Sequence, residues 1–137
     1  MAYSNFYARL HDFKEGLSLS LSAIWRFQIS RFYLLIIGIF QVIAWLEAFY
    51  LYRRLAGGVL IEHYNVDFGV DLIGDPSRVF LYPLFGLAVL FLNLSFAAWM
   101  SEHKDFRIFI HLLFAAALTF GIFICLSLFF LYLINFR

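Results

Sequence analysis

Carboxylate, imidazole and amide side chains gather in one polar stretch, residues 62–75, of an otherwise apolar chain. Four of the nine acidic residues of the protein lie there. Such groups bind divalent cations or transfer protons. Their spacing does not match a calcium loop, which needs acids at alternate positions, and a single histidine is a weak basis for a metal site. We predict an ordered, hydrogen-bonded loop without metal or cofactor, in which the candidate functional residues are His63, Asn65, Asp67 and Asp71.

Glu47 is the one acidic residue inside a long apolar segment. An ionisable side chain is costly there, and it usually faces the protein interior or a wet cavity. One hypothesis is therefore a proton or cation relay. The other is structural, with the carboxylate held near the membrane surface by Arg54, His63 or Arg78. Arg54 follows Glu47 by seven residues and lies on roughly the same face of a helix, which favours the structural role.

Asn93 and His111 stand on either side of a short polar connector, residues 101–107. So short a connector predicts that the helices it joins are antiparallel neighbours. The two side chains would then lie at similar depth, and we predict a hydrogen bond between them. Such contacts average under ~1 kcal/mol in membranes, which is typical of a structural role. A ligand or proton role for His111 is the alternative.

The composition excludes an ordinary water-soluble domain. Hydrophobic residues make up 64% and charged residues 14% of the 137 residues, against about 45–50% and about 25% in soluble domains. The net charge of +1 argues against nucleic acid as a partner, because nucleic acid requires a concentrated basic surface. A single cysteine, Cys125, allows no disulfide within the chain. The sequence therefore predicts a small integral membrane protein with one domain.

Residues 4–28 show the apolar period of an amphipathic helix. The apolar residues recur at intervals of three and four: Phe6, Leu10, Phe13, Leu17, Leu21 and Ile24. Charged residues and serines stand between them. This pattern predicts an interfacial helix whose apolar face lies in the acyl boundary of the membrane. A helix docked on another protein, or on the bundle of this protein, is the alternative.

Three apolar segments are long enough to cross a bilayer: residues 32–52, 79–99 and 108–135. At ~1.5 Å per residue the shorter ones reach ~31 Å, against a hydrocarbon core of ~30 Å. The extramembrane loop between the first two, residues 55–78, is either an extended segment or a short hairpin. Asp75 and Pro76 are typical of a helix N-cap and of the first helical residue. The predicted fold is all-α, with three transmembrane helices and an N-terminal interfacial helix.

The basic residues that flank the spans predict the orientation of the chain. With a cytoplasmic N-terminus, six of them lie inside, namely Arg9, Lys14, Arg26, Arg31, Lys104 and Arg107. Four lie outside, namely Arg53, Arg54, Arg78 and Arg137. This majority favours a cytoplasmic N-terminus and an outward loop 55–78. Residues 1–13 lack the features of a signal peptide, so we expect the first span to direct insertion.

Two stretches, residues 61–74 and 80–87, resemble a bacterial membrane domain of unknown function. That domain occurs in the immunity protein against the sporulation-delaying peptide toxin and in short uncharacterised membrane proteins. The matching positions are His63, Asn65, Gly69, Asp71 and the span proline Pro83. The resemblance covers about residues 35–100 and implies a multi-pass protein of the bacterial inner (cytoplasmic) membrane.

Three functions remain open at this point. We expect a non-enzymatic interaction or sensing protein in the lipid bilayer, whose loop recognises a peptide, an envelope component or a membrane-protein partner. Since three helices bury little surface, a homo-oligomer or a larger complex is expected. The alternative is a small oligomeric transporter or channel that uses Glu47, Gln41 and Asn93. An enzyme, which we do not expect, would need His63, Asp67 and Asp71 to converge.

Overall fold

Four α-helices, one 3₁₀ helix and one β-hairpin make up the part of the chain that the computed structural model describes, residues 2–65, 67 and 69–136. Side chains are described for the same residues except 2–6, 8–10, 13, 64, 65 and 71. In chain order the elements are α1 (Ala2–Arg26), α2 (Gln28–Arg54), β1 (Leu60–Asn65), β2 (Gly69–Gly74), a 3₁₀ helix (Pro76–Phe80), α3 (Leu81–Trp99) and α4 (Phe106–Phe136).

Three helical segments are long and apolar enough to cross a membrane, as predicted. They are Gln28–Arg54, Pro76–Trp99 and Phe106–Phe136, and each contains one of the predicted spans. The first has 27 residues and the third 31. At ~1.5 Å per residue these helices extend ~40 Å and ~46 Å, which exceeds a hydrocarbon core of ~30 Å. They therefore tilt in a bilayer or extend beyond its hydrocarbon.

The three spans pack as an up-down-up bundle with two buried clusters. At one end, which we call the hairpin end, α2 and α4 finish and α3 begins; its cluster contains Ala44, Ala48, Leu51, Leu55, Leu60, Val79, Ile124, Leu128 and Leu131. At the other, the connector end, α3 turns into α4; its cluster contains Ile24, Ile37, Ala97, Ile110, Phe114 and Ala117. Buried alanines in both clusters allow the helix backbones to approach closely.

The boundary between α1 and α2 differs from the prediction. A single residue, Phe27, separates the two helices, whereas the predicted interfacial helix ended at residue 28 and the predicted span began at residue 32. The backbone of Phe27 is extended, with φ −78° and ψ 108°. Its ring centroid lies 5.9 Å from that of His111 and 5.8 Å from the guanidinium carbon of Arg107. Packing of Phe27 on α4 therefore fixes the break one turn earlier than the apolar period indicates.

α1 contacts the bundle through its C-terminal part. Ile24 is buried in the cluster at the connector end, and a hydrogen bond of 3.0 Å joins the Ser20 and Ser101 hydroxyls. Leu17, Leu21 and Trp25 remain exposed. The side chains of Phe6, Leu10 and Phe13, which belong to the predicted apolar face, lie outside the described part. Docking on the protein's own bundle, one of the predicted alternatives, thus holds for the last turns of α1.

The extramembrane loop contains a β-hairpin, which was one of its two predicted alternatives. β1 and β2 are antiparallel, with Leu60 opposite Gly74 and Asn65 opposite Gly69. The register is irregular around His63. Leu60 is fully buried in the cluster at the hairpin end. Because its first residue is buried in the core of the bundle, the hairpin is packed against the ends of the helices.

Candidate functional site at the hairpin end

Asn135 joins the end of α4 to the outer edge of β1. Its Oδ1 accepts a hydrogen bond of 2.9 Å from the Ile61 N–H, and its Nδ2 donates one of 3.0 Å to the Ile61 carbonyl. The same Nδ2 donates to the Leu131 carbonyl at 2.9 Å. The side-chain amide thus occupies the position that a neighbouring strand would take. Sequence reasoning missed this residue, although an amide in a long apolar helix is itself a signal, since it needs a partner there.

Glu62 and Arg78 form an ion pair between β1 and the 3₁₀ helix, with 3.2 Å between Oε1 and Nη1. Gly74, at the end of β2, lies directly beneath it. A Cβ built on Gly74 would collide with Oε1 of Glu62 and lie 3.1 Å from Cδ of Arg78. The absence of a side chain at position 74 therefore makes room for the pair. Sequence reasoning placed Arg78 near Glu47 instead.

Asp75 caps the helical segment that follows the hairpin, as predicted, with a hydrogen bond of 2.8 Å from the Ser77 N–H to its Oδ1. The capped segment is the 3₁₀ helix rather than an α-helix. Hydrogen bonds from the side chain and the backbone of Ser77 hold the pKa of the Asp75 carboxyl below its usual value. The cap fixes the direction in which the chain leaves β2 and enters the 3₁₀ helix, so it positions Arg78 beside Glu62.

A groove opens beside the ion pair. It has a volume of about 360 Å³ and is lined by Glu62, Arg78, Leu81, Tyr82 and Phe85. Glu62 and Arg78 make one part of the groove charged. The other part runs along the first turns of α3, where Leu81 and Phe85 make it apolar. Such a gradient matches an amphipathic ligand, because concave sites combine an apolar lining with a few polar groups that fix orientation.

Glu47 lies in α2 at a second, smaller groove between α2 and α4. The groove has a volume of about 230 Å³, and Tyr50 and Tyr132 are among its lining residues. Oε2 of Glu47 is buried and has no hydrogen-bond partner within the described part of the chain. Two of the three predicted structural partners are engaged elsewhere: Arg54 donates to the Tyr50 hydroxyl at 3.2 Å, and Arg78 donates to Glu62.

The structure does not bring Asn93 and His111 together. Nδ2 of Asn93 donates to the Val89 carbonyl of its own helix at 2.8 Å. The His111 ring instead packs edge-on against Phe27 and Tyr33, each at a centroid distance of 5.9 Å. The predicted hydrogen bond between the spans is therefore replaced by a bond within one helix, which an asparagine forms without help from a neighbour.

Gln41 forms the side-chain hydrogen bond between spans that was expected of Asn93. Its Nε2 donates to the Pro83 carbonyl of α3 at 2.6 Å. A Cβ on Gly86 would lie 2.6 Å from Oε1 of Gln41 and 3.0 Å from Cδ1 of Ile124. Gln41 is therefore part of the contact between α2 and α3, and the glycine makes room for it.

The remaining candidates lie on the hairpin. His63 in β1 and Asp67 in the turn are exposed. Asn65 and Asp71 lie in β1 and β2, and their side chains fall outside the described part. Among the described residues, no group of three histidine, cysteine, aspartate or glutamate side chains is arranged to hold a metal ion.

No family model, curated protein or solved structure matches this chain. The resemblance to the bacterial membrane domain therefore stays a prediction. Composition and fold together define the class: a small multi-pass membrane protein with three candidate spans. The hairpin and the two grooves are its candidate functional sites.

Proposed function

We propose that the protein is a non-enzymatic interaction or sensing module of the bacterial inner membrane. Its recognition element is the β1–β2 hairpin, which binds an extended peptide segment of a partner protein at β2. The observation that carries this proposal is an asymmetry of the hairpin. β1 is attached to the bundle through Leu60 and Asn135, whereas β2 carries exposed apolar side chains, with exposed fractions of 48% for Leu72 and 56% for Ile73.

The two edges of the hairpin differ in the same way. The outer edge of β1 is covered at Ile61 by the Asn135 amide, and within the described residues the sheet has two strands, so β2 pairs with β1 on one side. A strand edge of this kind binds extended segments through backbone hydrogen bonds, and neighbouring side chains supply specificity. The attachment of β1 keeps β2 in place, which reduces the entropy lost on binding.

We place the hairpin on the outer side of the membrane and the N-terminus in the cytoplasm, on the majority of flanking basic residues. α1 is proposed to lie in the cytoplasmic interface. Its exposed Leu17, Leu21 and Trp25 support this placement, because they would otherwise face water. A homo-oligomer or a larger membrane complex is proposed because many residues of the three spans are exposed.

A photoreactive amino acid at position 72 tests the proposal in native membranes. We expect one discrete protein adduct that disappears when Val70→Lys is added, because the exposed Val70 lies two residues from position 72 and on the same face of β2. The matched control places the photoreactive residue at Phe91, an exposed side chain of α3 with 71% of its surface accessible. Lipid adducts alone at both positions, or a protein adduct insensitive to Val70→Lys, would contradict binding at β2.

The second candidate function is an oligomeric transporter or channel. It is favoured by Glu47, whose Oε2 is buried without a hydrogen-bond partner in the described residues, beside a groove between α2 and α4. An isolated ionised carboxylate is so costly in an apolar environment that it takes up a proton or a cation. Gln41 and Asn93 donate to backbone carbonyls, so they contribute less to a path than the sequence led us to expect.

Native mass spectrometry and an ion-flux assay distinguish this second candidate from the first. The channel hypothesis predicts a closed oligomer that conducts ions. It also predicts that the Glu47→Gln variant does not conduct them. A monomeric protein, or flux that is unchanged by Glu47→Gln, removes the channel.

A further inference from the structure

When the candidate span Pro76–Trp99 is placed across a bilayer, the groove beside Glu62 and Arg78 falls at the level where lipid headgroups meet acyl chains. Arg78 is the third residue of the span Pro76–Trp99 and so lies within its first turn. Leu81 and Phe85 follow on one face of α3, a turn apart, and both are exposed. In a bilayer this face meets lipid, because the helix that carries it crosses the membrane. The groove therefore runs from a charged pair at the surface to an apolar face in the hydrocarbon.

Arg78 has hydrogen-bonding capacity beyond its ion pair. Of its side chain 54% is exposed, against 19% for Glu62. A guanidinium carries five N–H donors, and the contact with Glu62 is made by Nη1. The remaining donors of the fork fit the oxygens of a phosphate, which arginine binds in a bidentate manner.

The carboxylate of Glu62, next to Arg78, determines which phosphate-containing headgroup fits the groove. A purely anionic headgroup at Arg78 would also face the carboxylate of Glu62, since the two charged groups are 3.2 Å apart, and repulsion would cancel much of the attraction. A zwitterionic headgroup meets a complementary charge at both of its ends. Glu62 accepts a hydrogen bond from a primary ammonium, whereas a quaternary ammonium has no N–H to donate.

We propose that this groove binds phosphatidylethanolamine. The lipid phosphate accepts hydrogen bonds from Arg78, the ammonium donates to Glu62, and one acyl chain lies along Leu81 and Phe85. The site is formed by β1, the 3₁₀ helix and α3, and it does not involve the exposed side chains of β2. Lipid binding here and partner binding at the hairpin edge are therefore tested by different substitutions.

The test is a lipid titration of the full chain in detergent, followed by native mass spectrometry. The probes are phosphatidylethanolamine, phosphatidylcholine and phosphatidylglycerol with matched acyl chains. We expect phosphatidylethanolamine to bind about tenfold more tightly than the other two, the difference that one charge-assisted hydrogen bond makes. Arg78→Gln lowers this affinity about tenfold. Glu62→Gln removes the repulsion, so that phosphatidylglycerol binds at least as tightly as phosphatidylethanolamine.

Arg53→Gln is the matched control. Arg53 is exposed at the same end of the bundle, where its guanidinium carbon lies 5.1 Å from the Phe49 ring, and its loss leaves the lipid preference unchanged. Equal affinity of the unaltered chain for all three lipids would overturn the proposal, and so would a preference for phosphatidylglycerol. If Arg78→Gln does not fold by circular dichroism, Glu62→Gln decides alone: a preserved preference for phosphatidylethanolamine in that variant contradicts the site.

Discussion

The two ends of the helix bundle satisfy their polar side chains in different ways. At the hairpin end, side chains reach across long stretches of the chain: Asn135 binds Ile61, and Arg78 binds Glu62. At the connector end, Asn93 and Ser95 donate to carbonyls four residues earlier in their own helix. One hydrogen bond between side chains does join two elements at this end: the Ser101 hydroxyl donates to the Ser20 hydroxyl of α1.

The difference follows from what each end must complete. A helix satisfies most of its backbone groups internally, so a polar side chain on it can use a local carbonyl. A strand edge leaves N–H and C=O groups that need partners from elsewhere. Both ends contain a buried apolar cluster. The hairpin end adds specific long-range polar contacts to its cluster, because its strand edge requires them.

The largest effect is expected from Asn135→Leu. The substitution leaves the N–H and C=O of Ile61 without the Asn135 partners. Because these bonds are part-buried, we expect the hairpin to lose about 1–2 kcal/mol of local stability. Hydrogen–deuterium exchange of residues 60–74 in detergent measures this loss. Asn93→Leu is the control, because its bond lies within α3; equal protection of the hairpin in both variants would contradict the comparison.

Gly86→Ala tests the middle of the bundle, between the two ends. The new Cβ would meet Gln41 and Ile124, and overpacking of this kind costs about 1–2 kcal/mol. The midpoint of thermal unfolding in detergent should therefore fall. Gly38→Ala should not lower it, because a Cβ there meets no atom within 4 Å. Adding Gln41→Ala to Gly86→Ala should recover part of the loss, and no recovery would mean that Gln41 is not the obstacle.

Ser101→Ala is expected to have a smaller effect, confined to α1. It removes the hydrogen bond between the Ser101 and Ser20 hydroxyls, which contributes about 1 kcal/mol or less. Exchange of the amides around Ser20 should quicken slightly while the hairpin is unchanged. Ser95→Ala provides the comparison, because that hydroxyl bonds to Phe91 of its own helix. A response of the hairpin to Ser101→Ala would show that the two ends are coupled.

The smallest effect is expected from lowering the pH, and it concerns the Asp75 cap at the hairpin end. The pKa of Asp75 is lowered by its hydrogen bonds with Ser77, so the cap stabilises the fold above the usual pKa of 3.8. That contribution is lost as the pH falls through the lower pKa of the folded state. The NMR shift of the Ser77 amide should titrate with a midpoint below 3.8, and the transition should vanish in Asp75→Asn. A midpoint at or above the usual value would mean that the cap does not form in solution.

The sequence predicts those features that depend on neighbouring residues. Apolar length alone places the three spans, and the Asp75-Pro76 pair is enough to predict the cap. The contact between Asn135 and Ile61 could not be predicted, because the residues are 74 positions apart and no local sequence pattern indicates that the two segments are in contact. The pairing of Asn93 with His111 failed for a related reason: similar depth does not determine where an amide donates.

Glu47 shows the same limit. Helical periodicity places Arg54 on its face of α2, but it does not reveal that the Tyr50 hydroxyl accepts from Arg54 instead. Both acceptors lie in the same helix as Arg54, so the choice between them depends on side-chain conformation, which helical periodicity does not determine. The surroundings of the carboxylate include the groove between α2 and α4, whose α4 residues could not be identified from the sequence near Glu47.

The contact between Asn135 and Ile61 also has a consequence for biogenesis. Because 74 positions separate the two residues, a ribosome that adds about 5–20 residues per second makes the asparagine roughly 4 to 15 s after the isoleucine. During that interval the edge of β1 lacks its final cover. Insertion of α4 is thus the step that brings Asn135 to β1, and a chain that stalls earlier leaves a strand edge that can pair with another chain.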